Sequence, residues 1–280
     1  MALSQTPFSV CMSVYAKDNH DYLRIAVHSI YTHQTLKPSE IILVADGPIT
    51  DQLQEVIEEL QTEIPVLKVI YLPENMGHAV ARQTGLEAAT NELVAVMDAD
   101  DISLPNRFEL QIRAFEEKPD VSVVGGIINE FIDNPDNVVG SRVCPQTDEG
   151  IKAYLKSRSP MNLVTVMLKK SDVSAVGGYQ DWYCEEDYYL WIRLTLAGYK
   201  FYNINENLVN VRVGQEMYRR RGGVRYFKSE AAIQRFMFDH KLISLFTYLY
   251  NVTIRFIVQV LMPNRIRGWV FQKFARTKNK

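Results

Sequence analysis

The sequence predicts an α/β fold: a mostly parallel sheet flanked by helices, with a helical extension at the C-terminal end. Three observations carry that expectation. From Phe8 to Asp133, short apolar runs alternate with helical patterns in a βαβα rhythm. The runs are rich in Val, Ile and Leu, as strands covered on both faces require. Four of them are followed directly by polar clusters, and in an open α/β sheet ligands bind outside the carboxyl ends of the strands.

In chain order, strands are expected over 8–15, 40–45, 66–71, 93–98 and 121–130, separated by helices over 22–33, 51–61, 78–89 and 106–117. Thr50-Asp51 and the stretch from Ser103 to Asn106 supply helix starts, because such side chains can accept from otherwise unpaired amides of a first turn. Right-handed crossovers follow by default. After the turn-rich Asn134-Pro135-Asp136-Asn137 the rhythm changes. A strand over 163–169, a turn at Gly177-Gly178-Tyr179 and a helix over 185–196 form a second lobe on the same sheet.

From Gly222 the pattern is helical and more basic, closing with Arg265, Arg267, Lys273, Arg276, Lys278 and Lys280. Residues 242–262 are apolar but are interrupted by Thr247, Asn251, Thr253, Arg255 and Gln259, whereas a membrane span needs about 20 largely unbroken apolar residues. Two readings fit this segment: a helix lying on an anionic membrane surface, and a helical pair packed back on the body of the protein.

With 280 residues, 47% of them hydrophobic and 23% charged, the chain is long enough for a sizeable core and has the balance of a folded enzyme. A net charge of -2 gives no basic footprint, so no nucleic acid is expected as partner. Cys11, Cys144 and Cys184 are odd in number and lack CxxC spacing, which suggests neither a disulfide framework nor a zinc knuckle. The first residues lack the marks of an export signal, and a cytoplasmic location is expected. The five histidines show no metal-binding spacing.

The chemistry concentrates at the strand ends. Tyr15-Ala16-Lys17-Asp18, Asp46-Gly47-Pro48, Glu74-Asn75-Met76-Gly77 and Asp98-Ala99-Asp100-Asp101 each follow an expected strand and converge on one rim. Asp98, Asp100 and Asp101 offer hard oxygen ligands of the kind Mg²⁺ or Mn²⁺ takes alongside substrate phosphate and water. An acidic turn that caps a helix is the other reading. Downstream, Glu185-Glu186-Asp187 falls at a helix start, where the macrodipole favours charged carboxylates. One of them can serve as a general base, or the group simply decorates a first turn. Cys184 beside them is expected to be buried, and Trp182, Tyr183, Trp191 and Tyr179 are candidates to stack on a sugar ring or to pack in the core. Asn75-Met76-Gly77-His78 lacks GxGxxG spacing, which disfavours a dinucleotide fold.

Several stretches together resemble family 2 glycosyltransferases of the GT-A fold, the type that builds bacterial capsule, exopolysaccharide or lipopolysaccharide. These are Ser13-Val14-Tyr15 with Asp18-Asn19, Val44-Ala45-Asp46-Gly47, Asn75-Met76-Gly77 with Ala81 to Leu86, Met97 to Asp101, Gly177-Gly178-Tyr179, and Glu186 to Leu194. The resemblance implies a GT-A catalytic domain over 1–215 and a helical extension over 216–280. Within the domain, 1–133 would be the nucleotide-sugar half and 134–215 the acceptor half. It implies that Ser13, Tyr15, Asp18, Asp46, Asn75, Gly77, Arg82, Asp98 and Ala99 surround the donor. Asp100, with Asp98 and Asp101, would hold Mn²⁺ or Mg²⁺, and Asp187, backed by Glu186, would be the base of an inverting transfer. Gly177, Gly178, Tyr179 and Trp182 would face the acceptor.

The implied donor is a nucleotide sugar, most simply UDP-linked, and the implied acceptor a glycan or lipid-linked glycan at the inner face of the membrane. Where some relatives carry a further metal-binding histidine, this chain reads Val211-Arg212-Val213-Gly214. Arg219 and Arg220, next to Arg221, are expected either to close over a diphosphate or to form a solvated basic turn. A nucleotidyltransferase of similar fold predicts a Gly-rich loop after the first strand, and residues 13–18 contain no glycine. A non-catalytic nucleotide-sugar-binding scaffold is the third alternative.

Overall fold

The structure, a computed structural model, describes residues 6–214 and 222–262. Arg219, Arg220 and the basic residues after Met262 lie outside the described residues.

The elements run β1 (Phe8–Val14), α1 (His20–Ile30), β2 (Glu40–Ala45), α2 (Asp51–Glu63), β3 (Leu67–Tyr71), α3 (His78–Ala88), β4 (Leu93–Asp98), β5 (Ile102–Ser103) and α4 (Arg107–Glu117). They continue with β6 (Val121–Phe131), β7 (Val138–Arg142), α5 (Asp148–Leu155), β8 (Met167–Lys169), α6 (Lys170–Ala175), α7 (Glu186–Leu196) and β9 (Lys200–Arg212). Two helices follow, α8 (Val224–Asp239) and α9 (Leu245–Phe256), and α9 runs on into a π-helical turn at Ile257–Leu261.

The strands form one sheet in the order β3-β2-β1-β4-β8-β6-β9-β5, with β7 paired to β6. β1 to β4 are mutually parallel, and β6 and β9 are parallel to each other. β8 runs antiparallel between β4 and β6, so the mostly parallel expectation holds with β8, β5 and β7 as reversals. The sequence reason is direct: every residue of β2 is buried, as a strand with helices on both faces must be. Side chains of β1 alternate between the two cores. Val10, Met12 and Val14 pack with α1, α2 and α4, while Cys11 packs with α3, α7 and α8.

Helix starts follow the capping chemistry. Thr50 accepts from the Leu53 amide at 3.3 Å and Asn19 from the Asp21 and Tyr22 amides, so α1 begins at His20, ahead of the expected residue 22. Of the segment 163–169 only Met167–Lys169 is strand. Leu163–Thr165 is a 3₁₀ turn, closed by the Thr165 hydroxyl donating to the Asn162 carbonyl at 2.7 Å. The expectation omits β5, β7, α5, α6 and β9. β9 reads Lys-Phe-Tyr-Asn-Ile-Asn-Glu-Asn, which looks like loop, yet Asn203 is buried because its amide donates to the carbonyls of Pro145 and Pro160.

Candidate active site

The parallel strands deliver their carboxyl ends to one rim. In the β1–β4 ladder Ser13 stands opposite Asp98, and in the β1–β2 ladder Val14 stands opposite Ala45, so Tyr15, Asp46 and Asp98 leave adjacent strands side by side. Register brings these clusters together, as convergence at strand ends requires.

Asp46, expected at the donor, is a latch. Its carboxylate accepts from the Met76 amide at 2.7 Å, the Gly77 amide at 3.0 Å and the Asn75 side chain at 3.1 Å, so it ties the β3–α3 loop to the end of β2. Gly47 has φ +85°, and a Cβ there would meet the Asn75 backbone nitrogen at 2.5 Å. Only glycine allows that approach. Asp18 works similarly, accepting from the Tyr15 amide at 3.0 Å to close the loop after β1.

Arg82, on α3, lies at the centre. Its guanidinium pairs with Asp98 at 3.2 Å and, through Nη1, with Glu186, joining the β4 end to the start of α7. Burial opposes its charge, but Asp98, Glu186, Tyr179 and Asp187 around it hold its pKa above the ordinary value. Arg82 therefore stands among the carboxylates at the rim. Glu186 is committed to this ion pair. Asp187 is half-buried and accepts from the Ser159 hydroxyl at 3.3 Å. Burial first, then the Glu186 charge, raises the Asp187 pKa, although Arg82 and Arg142 pull it down. The helix dipole, expected to lower it, is outweighed.

The acidic strand end divides in two. Asp98 is partly exposed and Asp100 exposed, while Asp101 is 2% exposed and accepts from the Arg212 amide at 2.9 Å. Asp101, expected at the metal, ties β9 to this turn through that bond. Its pKa is raised well above the usual range by burial and by the charges of Asp100 and Asp98. Arg212 also donates to the carbonyls of Asp100 and Asp133 and lies 3.7 Å from the Tyr22 ring centroid. Among the described residues no three His, Cys, Asp or Glu side chains converge on one metal position. The donor set fits a cation shared with ligand phosphates better than an all-protein cage: two rim carboxylates, in a cluster whose mutual repulsion a cation relieves.

Beneath the acids, Arg107 is fully buried and donates to the Val96 carbonyl at 2.7 Å. Burial lowers its pKa to about 9, with Asp101 and Asp98 opposing. Sequence reading passed over Arg107, Gln111, Arg142 and Ser159. For the first two a signal existed, since they share a helix stripe with Phe108, Ile112 and Phe115. Ser159 and Arg142 carry none, because they meet Asp187 only through the fold; Arg142 donates to the Ser159 carbonyl at 2.6 Å.

The residues expected to face the acceptor make these contacts within the protein. Gly178, at φ +65°, leaves room for Gln83, whose side chain accepts from the Tyr179 amide at 2.7 Å. Gly177 has φ +87° and is exposed. Tyr179 is buried, its hydroxyl without a hydrogen-bond partner among the described residues, and Trp191 is core. Trp182 is packed against Tyr189 and donates to the Ser229 carbonyl, which leaves Tyr183 as the exposed aromatic, with Arg225 4.0 Å from its ring centroid. Helix α8 thus braces residues 182–185. The Ser229 hydroxyl donates to the Tyr183 carbonyl at 2.6 Å and the Tyr226 hydroxyl to Glu185 at 2.7 Å. Cys184, expected to be buried, is exposed, with φ 59°.

The profile described as Glycosyl transferase family 2 matches residues 9–177. The chain is 35% identical over 269 residues, 96% of each chain, to the UDP-Gal:alpha-D-GlcNAc-diphosphoundecaprenol beta-1,3-galactosyltransferase of Escherichia coli. Its fold matches S. aureus TarS 1-349 in complex with UDP-GlcNAc, with a TM-score of 0.66 at 17% identity, covering 96% of this chain and 76% of that one. It also matches mannosyltransferase PcManGT from Pyrobaculum calidifontis in complex with GDP-Man and Mn2+, with a TM-score of 0.61 at 14% identity, covering 96% and 80%.

Proposed function

The chain belongs to glycosyl transferase family 2, with the GT-A fold, and on that premise we propose that it is an inverting enzyme that moves a sugar from a UDP-linked donor to a hydroxyl of a growing, lipid-linked surface glycan. As a family member it is a glycosyltransferase of bacterial glycan biosynthesis. The UDP donor and lipid-linked acceptor are carried over from the relative named for UDP-Gal and a diphosphoundecaprenol acceptor, and the proposal includes a working site at the inner face of the membrane. The same reading divides the chain into a catalytic domain over 1–215, with donor and acceptor halves, and an extension over 216–280.

The observation that carries the reading is the arrangement around Arg82. One guanidinium joins the acidic strand end to Glu186, and the next residue, Asp187, is left for chemistry. In the proposed step the Asp187 carboxylate takes the proton of the acceptor hydroxyl. The hydroxyl oxygen forms a bond to the anomeric carbon from the face opposite the diphosphate. The bond from that carbon to the diphosphate oxygen breaks, and the electron pair leaves with the nucleoside diphosphate. Ser159 orients the base, Glu186 fixes Arg82, and Ser13, Tyr15 and the Asn75–Gly77 loop held by Asp46 frame the nucleoside. Asp98 and Asp100 would hold Mn²⁺ or Mg²⁺, which when bound supplies positive charge to the departing diphosphate.

The test is binding and transfer with Mn²⁺ across UDP-Glc, UDP-Gal, UDP-GlcNAc, UDP-GalNAc and GDP-Man, using a diphosphate-lipid acceptor. Turnover with a UDP-sugar and inverted product stereochemistry are expected; neither binding nor turnover with any of the five would sink the reading.

A further inference from the structure

Helix α9 is amphipathic in the reverse sense to a surface helix in water. Its polar side faces the protein. Asn251 is 5% exposed and donates to the Lys156 carbonyl at 2.9 Å and to Gln234 at 2.7 Å. Arg255 pairs with Glu230 at 3.0 Å and reaches the Ser157 carbonyl, and Gln259 donates to Glu230. The outer side is apolar: Phe246 is 80% exposed, with Leu249, Tyr250, Ile257 and Leu261 all exposed on the same stripe. A helix at a water boundary ordinarily turns its apolar face inward, and contiguous exposed apolar area marks an interaction surface.

The chain itself says what covers this face. Beyond Met262 it continues for 18 residues that contain six Lys or Arg and no Asp or Glu, although the whole chain has a net charge of -2. Positive charge is therefore concentrated in sequence where the apolar stripe ends. An apolar face followed by a basic segment is complementary to a bilayer of anionic lipids, where headgroups take the cations and the acyl boundary takes the aromatic and aliphatic side chains. No helix among the described residues is long and apolar enough to cross a membrane, which fits a helix lying in the interface.

We infer that the outward face of α9 and its π-helical turn is the surface on which this protein docks to an anionic bilayer, lying in the headgroup region without spanning it. The inference deepens the lipid-linked reading of the acceptor by naming the contact surface, and it needs no catalysis to be tested. Full-length protein is floated with vesicles of phosphatidylcholine alone and of phosphatidylcholine containing about a quarter phosphatidylglycerol. It is expected to float with the second, at least about ten-fold more than with the first, and to be released by salt in part. The variant Phe246→Ser with Leu249→Ser and Tyr250→Ser, and separately Ile257→Ser with Leu261→Ser, should lose about ten-fold or more of that binding while melting like the parent.

Three outcomes overturn the proposal: a parent that stays in solution, variants that float as the parent does, or a concentration-dependent dimer that the variants disperse in the absence of vesicles. A protein that floats but transfers no sugar keeps this inference and loses the functional one.

Discussion

Two adjacent carboxylates at the start of α7 have different partners, and the difference separates their work. Glu186 is paired with Arg82, whereas Asp187 accepts only a 3.3 Å bond from Ser159 among its described side-chain partners and has its pKa raised by burial and by Glu186. Asp187→Asn is expected to lower kcat by about 10²- to 10⁴-fold while donor affinity by calorimetry stays near the parent value, because a general base acts chiefly in the transition state. Loss of donor binding would instead make Asp187 a donor ligand. A base works unprotonated, so kcat should fall as pH drops through a midpoint above the ordinary aspartate range. Arg142→Gln removes a charge that favours the carboxylate and should move that limb to higher pH; a limb that stays in place would detach Arg142 from the base.

At the scale of elements, the loop after β2 and helix α8 set the geometry of the rim. Gly47→Ala places a Cβ 2.5 Å from the Asn75 backbone nitrogen at a φ of +85°, and backbone cannot swing aside as a side chain can. A loss of about 2–4 kcal/mol in denaturant unfolding is expected, with a raised KM for donor in whatever remains folded. Tyr226→Phe removes the bond to Glu185, and by loosening residues 182–185 it should lower kcat several-fold with little change in donor affinity; an unchanged kcat would show that α8 is packing alone.

Much of this architecture was legible in the sequence. β1 to β4, α1 to α4 and α7 follow from apolar runs, caps and helical spacing, which are local signals. β9 and β7 were hidden because their stability comes from distant partners: Asn203 reads as loop until its amide meets Pro145 and Pro160. The rim was legible as strand-end clusters. The amides that Asp46 and Asp101 accept from were not, since those partners lie about 30 and 111 residues away in the chain.

For the whole molecule, the end of the sheet opposite the rim is held by Glu40, which is 3% exposed and accepts from Ser9, Lys68 and the amide and hydroxyl of Thr90. Burial alone would raise its pKa, but these bonds outweigh it and lower the value to about 2 from an ordinary 4.5. The unfolded chain therefore binds this proton more readily. The stabilisation is complete above the ordinary value and is lost as pH falls from there towards about 2. Glu40→Gln should lose about 1–3 kcal/mol at neutral pH and flatten the acid limb of stability, read as denaturation midpoint against pH; a limb of unchanged slope would assign acid sensitivity elsewhere. The exposure of Cys184 has a consequence of another kind. Cys11 and Cys144 are buried, and the Cys11 thiol is pushed up to about 12 mainly by burial, so the native protein presents one alkylatable sulfur, two residues ahead of Glu186. A fluorophore attached there is expected to change its emission when a nucleotide sugar binds, and a signal unmoved by UDP-sugars would place Cys184 away from the bound ligand.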